Sequence, residues 1–269
     1  MQSLPRFTPL SPPTALFLDF DGTLVDLADQ PELVHVPPEL VPLLTALQAR
    51  LGGALAVVSG RRIVDIDTFL APLELPAAGE HGARRRDAAG QLFEAEPHDL
   101  QRVIDAVLPL AEKHPGLRLE RKEAAVALHY RHAPDLEALC RETLDEALRE
   151  EPGLTLLHGK FVFEAKPVGV SKGSAIEAFM REAPFTGRQP VFAGDDVTDE
   201  AGFEAVRRLG GLGIKVGLGP TMAQHRCSDP AELFTWMSSL LDPRRARGAV
   251  GRPHVPAFGA LSMFEKEFP

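Results

Sequence analysis

The stretch that decides the fold covers residues 16–27 and reads LFLDFDGTLVDL. A run of apolar residues ends there in two carboxylates, Asp19 and Asp21, with Gly22 and Thr23 directly behind them. In open α/β sheets, ligands bind at the edge where the parallel strands end. Two carboxylates on a turn that glycine makes permissive therefore indicate a divalent cation, a covalent carboxylate nucleophile, or both.

Apolar runs alternate with amphipathic stretches on both sides of this motif. Each apolar run has the length of a buried strand, and Pro38 stands at a helix start, where its missing N–H costs nothing. This βαβαβ order predicts an α/β fold with a Rossmann-like parallel sheet that helices cover on both faces. The predicted strands are residues 15–19, 54–58, 77–80, 190–193 and 213–216, and the predicted helices are residues 38–49, 61–70, 172–180 and 198–209.

The rhythm changes in the middle of the chain. Asp99 and Asp135 are each placed to cap a helix whose apolar residues recur at helical spacing, and two short strands follow each helix. This αββαββ order predicts a small α+β unit with an antiparallel sheet. We therefore expect a core domain of residues 1–87 and 167–269, with a cap domain of residues 88–166 inserted into it.

Composition narrows the range of functions. The chain has 269 residues, is 44% hydrophobic and carries a formal net charge of −9, so no global field attracts nucleic acid or an anionic membrane. No apolar run approaches the ~20 residues of a membrane span, and the N-terminus lacks the pattern of a signal peptide. The two cysteines, Cys140 and Cys227, fit a reducing cytosol. We expect a cytoplasmic monomer, with an irregular surface segment from Pro243 onward.

Four polar motifs follow predicted strands or begin predicted helices. They are Asp19 to Thr23, then Ser59, then Lys172, and finally residues 194–199, which read GDDVTD. Each motif alone is weak, because Asp and Gly are common turn residues. In this order, and each at the end of an element, they resemble the four motifs of the haloacid dehalogenase-like phosphohydrolases.

That resemblance implies a phosphoryl transfer through the enzyme itself. A phosphate monoester is a dianion and repels a carboxylate, so the site must supply cations and donors before a carboxylate can attack. Asp19 is the implied nucleophile, and Asp21 the implied acid and base that protonates the leaving oxygen and later activates water. A Mg²⁺ ion is implied as cofactor, held by the side chains of Asp19 and Asp195 and by the backbone carbonyl of Asp21.

Other residues are implied to hold the phosphate or to orient its partners. Ser59 offers a hydroxyl, Gly60 a backbone N–H, and Lys172 a positive charge at a helix N-terminus. Lys166 is a second candidate cation; Lys172 is favoured because it begins a helix. Asp199 is expected to orient Lys172 or a metal-bound water.

Two further assignments near these motifs remain open. Asp196 fits a role beside the metal, as a ligand or as a partner of one, or a role in capping the following helix. Arg61 and Asp65, four apart on one predicted helix, are expected to pair.

The position of the inserted unit, between the third strand and the lysine motif, is that of the type C2 cap. Within that group the chain resembles the trehalose-6-phosphate phosphatases, and the likeness covers most of residues 14–220. The GDDVTDE run and the Glu-x-Lys followed by His-Tyr-Arg are the most specific parts. The matching stretches are LDFDGTL (18–24), VSGR (58–61), GEHG (79–82), ERK (120–122), VALHYR (126–131), EAKP (164–167), SKG (171–173) and GDDVTDE (194–200).

This resemblance implies that the protein removes phosphate from trehalose 6-phosphate, a small sugar phosphate. It also implies that Glu120, Lys122 and Glu164 in the cap grip sugar hydroxyls, to which charged side chains form strong hydrogen bonds. His81, near the junction of cap and core, either faces the same cleft or is a structural histidine. His129 is expected to be a structural strand residue that faces solvent or the core helices.

Three alternatives stay open at this point. A related enzyme could act on another sugar phosphate, such as sucrose-phosphate or a glucosylglycerol-type phosphate, with the same core and a different cap. A phosphomutase would transfer the phosphoryl group to a second sugar phosphate instead of water. A non-catalytic sensor is disfavoured, because a binding protein does not need the intact nucleophile Asp19.

Overall fold

The computed structural model describes residues 13–241, except residues 29, 97, 123 and 160. The expectations for the extreme N-terminus and for the arginine-containing tail from Pro243 lie outside the described residues. In the order of the chain, the strands are β1 (Thr14–Leu18), β2 (Leu55–Val58), β3 (Ala77–Gly79), β4 (Arg84–Arg86), β5 (Leu92–Glu94), β6 (Arg118–Arg121), β7 (Val126–His129), β8 (Leu154–Gly159), β9 (Val162–Pro167), β10 (Gln189–Gly194), β11 (Leu212–Val216) and β12 (His225–Cys227). The helices are α1 (Leu40–Arg50), α2 (Ile63–Leu70), α3 (Gln101–Lys113), α4 (Glu137–Leu148), α5 (Lys172–Met180), α6 (Glu200–Arg208) and α7 (Pro230–Leu241).

The larger of the two sheets has eight strands in the order β12-β11-β10-β1-β2-β3-β4-β5. The strands from β12 to β3 are parallel, and β4 and β5 continue the sheet in antiparallel fashion. β1 is buried along its whole length and lies between β10 and β2, so residue 19 emerges at the middle of the sheet edge. The predicted α/β core with a parallel sheet is confirmed.

Aromatic packing fixes α5 beneath this sheet. The ring of Phe17 on β1 stacks on Phe185 at 5.4 Å and lies 5.9 Å from Phe179 on α5. All three rings are fully buried, and burial of each one stabilises the fold by about 1.5–3 kcal/mol. Since α5 begins with Lys172, this packing also places the lysine beside the end of β1.

The smaller sheet forms the inserted cap and has the antiparallel order β6-β7-β9-β8. One face packs against α3 and α4 through residues such as Val107, Leu128, Leu144 and Phe163. Side chains alternate across a strand, so the opposite face carries Glu120 and Lys122 of the β6 segment together with Glu164 of β9. In register, Glu120 lies opposite Ala127 and Ala127 lies opposite Glu164, which puts both carboxylates on one row.

The pairing of the strands does not agree with a boundary between core and cap at the expected residue 88. β5 pairs with β4 in the larger sheet, so residues up to Glu94 are part of the core sheet. We propose that the cap begins after Glu94 and ends with β9. The expected cap of α4 at Asp135 is wrong, because a short 3-10 turn of residues 134–136 precedes that helix and no side chain caps it.

The helices of the structure are short compared with a membrane span. The longest, α3, has 13 residues. None of the helices in the described part of the chain combines the length and the apolarity that crossing a bilayer requires.

Candidate active site

The centre of the site is a buried lysine between two buried carboxylates. Asp19 follows β1, and Lys172 is the first residue of α5, where the Ser171 side chain caps the helix. The Lys172 Nζ donates to Asp19 Oδ1 and to Asp199 Oδ1, both at 2.7 Å. The structure thus brings Lys172 to the implied nucleophile, whereas the other candidate, Lys166, donates its amine proton to the carbonyl of Val170.

Negative charge is in excess at this point of the core. Burial raises the pKa of Asp19 well above its usual value; the charge of Lys172 opposes this rise, and those of Asp199 and Asp195 add to it. Burial by itself lowers the pKa of Lys172, but the charges of Asp19 and Asp199 outweigh it and leave that pKa above its usual value. Lys172 is therefore a permanent cation, shared by more carboxylates than it can neutralise.

Three carboxylates can converge on one metal ion. Single oxygens of Asp19, Asp195 and Asp199 lie within 4.8 Å of one another. Burial, and next the charge of Asp199, raise the pKa of Asp195 to about 6. Gly22 makes room for this arrangement: its φ is +74°, and a β-carbon there would lie 2.2 Å from Asp195 Oδ2. The donor set, all oxygens with surplus negative charge, fits a hard divalent cation.

Of these three, Asp199 is already engaged by the protein. Its Oδ2 accepts hydrogen bonds from the backbone N–H groups of Asp195 and Asp196, each at 2.9 Å, and its Oδ1 accepts from Lys172. Asp199 is thus bonded to Lys172 and to two backbone N–H groups. Asp19 and Asp195 keep more oxygen capacity for a cation.

The neighbouring Asp196 has a local role. Its carboxylate accepts a hydrogen bond from the N–H of Val197 at 2.7 Å and caps the short turn that follows. Of the two roles left open for Asp196, the structure favours capping.

Asp21, the implied acid and base, is held by an arginine. Arg61 Nε and Nη2 donate to its two oxygens at 2.6 and 2.7 Å, and the guanidinium lies over the ring of Phe69 at 4.8 Å. The expected pairing of Arg61 with Asp65 is wrong. Helix α2 begins at Ile63, two residues later than predicted, so Arg62 is the residue that reaches Asp65 while Arg61 turns toward the site.

The second motif forms a tight loop beside the nucleophile. Ser59 is buried at the end of β2, and its Oγ accepts a hydrogen bond from the N–H of Arg61 at 3.2 Å. His81 packs directly on Gly60, where a β-carbon would lie 2.6 Å from the imidazole ring. The absence of a side chain at Gly60 is thus what allows His81 to lie against this loop.

The cap contributes charged pairs on its open face. Lys122 Nζ donates to Glu164 Oε2 at 2.6 Å, and both side chains are largely buried. Glu120 accepts from the His129 ring at 2.7 Å, and this bond lowers the pKa of Glu120 to about 2. His129, expected to be a structural strand residue, lies on the open face, partly exposed, with its ring bonded to Glu120.

A cleft of about 390 Å³ joins the two sets of residues. Asp21, Gly60 and His81 line it from the core, and Glu120 and Lys122 line it from the cap. A volume of this order accommodates a small organic ligand. Of the expected residues, these five line one cavity, and Glu164 reaches its wall through the bond to Lys122.

Two buried polar atoms beside the cleft have no hydrogen-bond partner within the described part of the chain: His81 Nδ1 and Glu164 Oε1. The His81 Nε2 lies 3.7 Å from Glu164, which is too long for a hydrogen bond. Burial and then the charges of Lys122 and Lys172 hold the pKa of His81 well below its usual value, so the ring is neutral. Buried polar atoms without partners are costly, and a polar ligand in the cleft would satisfy them.

Sequence reasoning missed two buried charges that support the site. Lys215 on β11 donates its amine proton to the backbone carbonyl of Asp195. The signal was a lysine inside an otherwise apolar predicted strand, which a buried site explains better than a surface. Glu80 is 1% exposed and accepts a hydrogen bond from the N–H of Ala124 in the cap at 3.1 Å.

Comparison with known proteins gives consistent results. A sequence model of the trehalose-phosphatase family matches residues 17–232. The chain is 42% identical over 233 residues to the trehalose-6-phosphate phosphatase of Escherichia coli strain K12, with 86% of this chain and 88% of that protein covered. It is 46% identical over 205 residues to a probable trehalose-phosphate phosphatase of Sinorhizobium fredii, with 76% and 77% covered.

Solved structures agree with the fold. A crystal structure of a trehalose-6-phosphate phosphatase related protein superposes with a TM-score of 0.70 at 33% identity, covering 84% of this chain and 96% of that one. A haloacid dehalogenase-like hydrolase from B. subtilis superposes with a TM-score of 0.64 at 16% identity, covering 84% and 98%. The second likeness bears on the fold alone.

Proposed function

The chain belongs to the trehalose-phosphatase family, and on that premise we propose that it hydrolyses trehalose 6-phosphate to trehalose and inorganic phosphate. The observation that carries the proposal is the junction of two residue sets in one cleft. In the core, Asp21 lines the cleft, two residues from Asp19 and its partner Lys172. On the cap, Glu120 and Lys122 line the cleft, and Glu164 is bonded to Lys122. The first set suits attack on a phosphate, and the second suits a hydroxyl-rich leaving group.

Asp19 attacks phosphorus, and the phosphoryl group moves from the sugar oxygen to its carboxylate. The P–O bond to the sugar breaks, and Asp21 gives a proton to the departing oxygen. Water then attacks the aspartyl-phosphate, Asp21 takes a proton from that water, and Asp19 is regenerated with release of inorganic phosphate. In this structure Arg61 holds both oxygens of the Asp21 carboxylate. That pair has to open for Asp21 to carry the proton.

The phosphate is held by groups that face the nucleophile. The Lys172 amine, 2.7 Å from Asp19, offers a charge to the phosphoryl oxygens, and the Ser59 hydroxyl and Gly60 N–H offer hydrogen bonds. A metal ion is expected between Asp19 and Asp195, and we propose Mg²⁺ because these donors are hard oxygens. Such a cation would supply the positive charge that lets a carboxylate approach a dianionic phosphate.

The cap supports selection of the sugar. Glu164 Oε1 has no partner among the described residues, and Lys122 stands beside it on the same face. A disaccharide brings hydroxyl groups that both donate and accept, so it would satisfy Glu164 as well as the His81 nitrogen. A site built to bond hydroxyl groups rejects ligands that lack them, because its own buried groups then stay unpaired.

A panel of phosphomonoesters tests the proposal. Phosphate release is measured with trehalose 6-phosphate, sucrose 6-phosphate, glucose 6-phosphate and p-nitrophenyl phosphate, with added Mg²⁺ and with chelator. Trehalose 6-phosphate should give the highest kcat/KM, and chelator should abolish turnover. Equal kcat/KM values across the panel would contradict the proposed substrate, and undiminished turnover in chelator would contradict the metal.

We also propose that the protein acts as a monomer in the cytoplasm. The core and cap of this chain together supply both sides of the cleft. Both cysteines are free and buried, as suits a reducing compartment. Light scattering after size-exclusion chromatography should give a mass near 29.2 kDa, and fractionation of the source cells should recover the activity with cytoplasmic markers.

A further inference from the structure

The segment Gly79 to Gly82 has an uncommon backbone. Glu80 and His81 both have positive φ angles, 49° and 56°, and Gly82 follows with 104°. Residues other than glycine have a steric cost at positive φ. Two such residues in a row therefore persist only where the surrounding structure holds them. Such strain at a site lined by ligand-facing residues suggests a function for the conformation.

The phosphate loop, residues 59–61, holds this segment through two backbone hydrogen bonds. The N–H of Glu80 donates to the carbonyl of Arg61, and the N–H of His81 donates to the carbonyl of Ser59, both at 2.9 Å. On the other side, a β-carbon on Gly82 would lie 2.5 Å from the carbonyl of Ser171, the residue that caps α5. The segment is therefore wedged between the Ser59 loop and the start of the helix that carries Lys172.

The conformation of the segment directs one carboxylate to the cap. Glu80 is 1% exposed, and its Oε2 accepts a hydrogen bond from the backbone N–H of Ala124 at 3.1 Å. Ala124 belongs to the turn between β6 and β7, and a hydrogen bond from Lys122 N to the Ala125 carbonyl closes that turn. Lys122, whose amine reaches Glu164 in the cleft, is thus two residues from the point where the core holds the cap.

We infer that Glu80 is a positioning residue that docks the β6–β7 turn of the cap onto the phosphate loop. This inference rests on the proposed function, because the turn presents Lys122 to the sugar. In the docked state the turn lies against the core, and Lys122, which is bonded to Glu164, faces the same cleft as Asp21. When the bond opens, the turn moves away and the sugar-binding groups separate from the nucleophile, while Asp19 and Lys172 stay in place.

The proposed docking role of Glu80 predicts different kinetic effects on two substrates. Loss of the Glu80 acceptor should weaken recognition of the disaccharide and spare chemistry on a phosphate that makes no use of the cap. Glu80→Ala should raise the KM for trehalose 6-phosphate about tenfold, the scale expected for one hydrogen bond to a charged group. The kcat/KM for p-nitrophenyl phosphate should change less than about twofold, a difference below the scale of one hydrogen bond.

Matched variants separate docking from other effects of substitution. Glu80→Gln keeps an acceptor oxygen and should recover most of the KM. On the cap side, Ala124→Pro removes the N–H donor and should raise the KM as Glu80→Ala does, whereas Ala124→Ser keeps the donor and should not. The double variant Glu80→Ala/Ala124→Pro should be no worse than either single variant, because both remove the same bond. If Glu80→Ala does not fold, the Ala124 pair alone decides.

A second readout needs no substrate. Hydrogen–deuterium exchange of the peptide that contains Ala124 should be slow in the wild type and faster in Glu80→Ala, with Glu80→Gln between them. Faster exchange and a raised KM together support the inference. Unchanged exchange in Glu80→Ala, or an equal loss of kcat/KM on both substrates, overturns it. A wild type that does not prefer trehalose 6-phosphate would instead contradict the proposed function, and the exchange result would still stand.

Discussion

The core edge and the cap face treat their charged groups in opposite ways. At the core edge, Lys172 is locked by two hydrogen bonds of 2.7 Å, and Asp199 accepts three in all. On the cap face, Glu164 leaves one oxygen without a partner among the described residues, and His81 opposite leaves one nitrogen. On the proposed roles, the reacting groups are fixed before substrate arrives, whereas the recognition groups find their last partners only in a ligand.

This contrast follows from what each region has to do. Phosphoryl transfer gains most from groups that need no reorganisation at the moment of reaction. Sugar recognition gains selectivity from polar groups that stay unpaired when the wrong ligand enters. If this division is right, substitutions at the core edge should damage turnover of every substrate, and substitutions on the cap face should damage turnover of trehalose 6-phosphate alone.

The largest expected effect is at the nucleophile. Asp19→Asn should lower kcat at least about 10⁴-fold on every phosphomonoester, as removal of a covalent nucleophile does in other enzymes. Phosphate release in a stopped assay measures the loss, and circular dichroism checks that the fold is intact. Retained turnover in a folded Asp19→Asn protein would mean that another residue attacks phosphorus.

Next in size is the effect of the buried lysine. Lys172→Met should lower kcat by about 10²–10³-fold, since it removes a donor aimed at the developing charge. It should also destabilise the fold by about 3 kcal/mol, because Asp19 and Asp199 are left buried without a cation. Urea unfolding measures the second effect.

Lys166→Met is the matched control for this variant. Lys166 is also buried, but in the described structure its amine donates a hydrogen bond only to a backbone carbonyl. The Lys166→Met variant should therefore keep most of its turnover. Equal losses of kcat in the two variants would contradict the assignment of Lys172 as the phosphate-binding cation.

On the cap face, Glu164→Gln should lower kcat/KM for trehalose 6-phosphate by about 10- to 100-fold, since it removes the charge that pairs with Lys122 and meets the sugar. The value for p-nitrophenyl phosphate should change little. Glu94→Gln, at an exposed carboxylate that pairs with Arg84 away from the cleft, is the control and should affect neither substrate. Loss on both substrates alike would remove the distinction between cap and core.

The smallest expected effect concerns stability without metal. The folded-state pKa of Asp195, about 6, exceeds its ordinary value of 3.8. The folded metal-free protein therefore binds this proton more tightly than the unfolded chain, and its stability falls as the pH rises from about 4 to 6. Asp195→Asn should reduce this fall, leaving the part due to Asp19, and raise the metal-free Tm at pH 7 by about 2–4 °C, which corresponds to about 1 kcal/mol.

Scanning calorimetry across this pH range, with and without Mg²⁺, measures the effect. The metal should stabilise the wild type and have little effect on Asp195→Asn. A lower metal-free Tm in Asp195→Asn at pH 7 would show that the carboxylate cluster is not strained by its own charge.

Sequence reasoning succeeded where a residue that the chemistry requires stands at the end of a recognisable strand or at the start of a recognisable helix. The apolar run before Asp19 predicted a central parallel strand, and the capped helix start at Lys172 predicted the amine that reaches it. Both predictions use local patterns whose spatial consequence follows from the rule that parallel strands end at one edge. The change of rhythm after residue 88 likewise predicted the antiparallel cap.

It failed where long-range pairing decides the structure. Arg84 to Arg86 form strand β4 although three consecutive arginines lack the alternation of apolar and polar residues that predicts a strand. Carboxylates distant in the chain pair with these arginines and balance their charge. Arg85 pairs with Glu182, and Arg86 pairs with Asp67. The predicted pairing of Arg61 with Asp65 failed because the start of α2 was displaced by two residues, which exchanged the roles of two adjacent arginines.

The most direct test of the account is the identity of the residue that receives the phosphoryl group. A crystal of the protein grown with Mg²⁺ and beryllium fluoride, which mimics a phosphoryl group on a carboxylate, would locate it. The account predicts the fluoride adduct on the Asp19 carboxylate, with the Lys172 amine within hydrogen-bond distance of a fluorine. An adduct on any other side chain would contradict it, and so would an intact site with no adduct at saturating reagent.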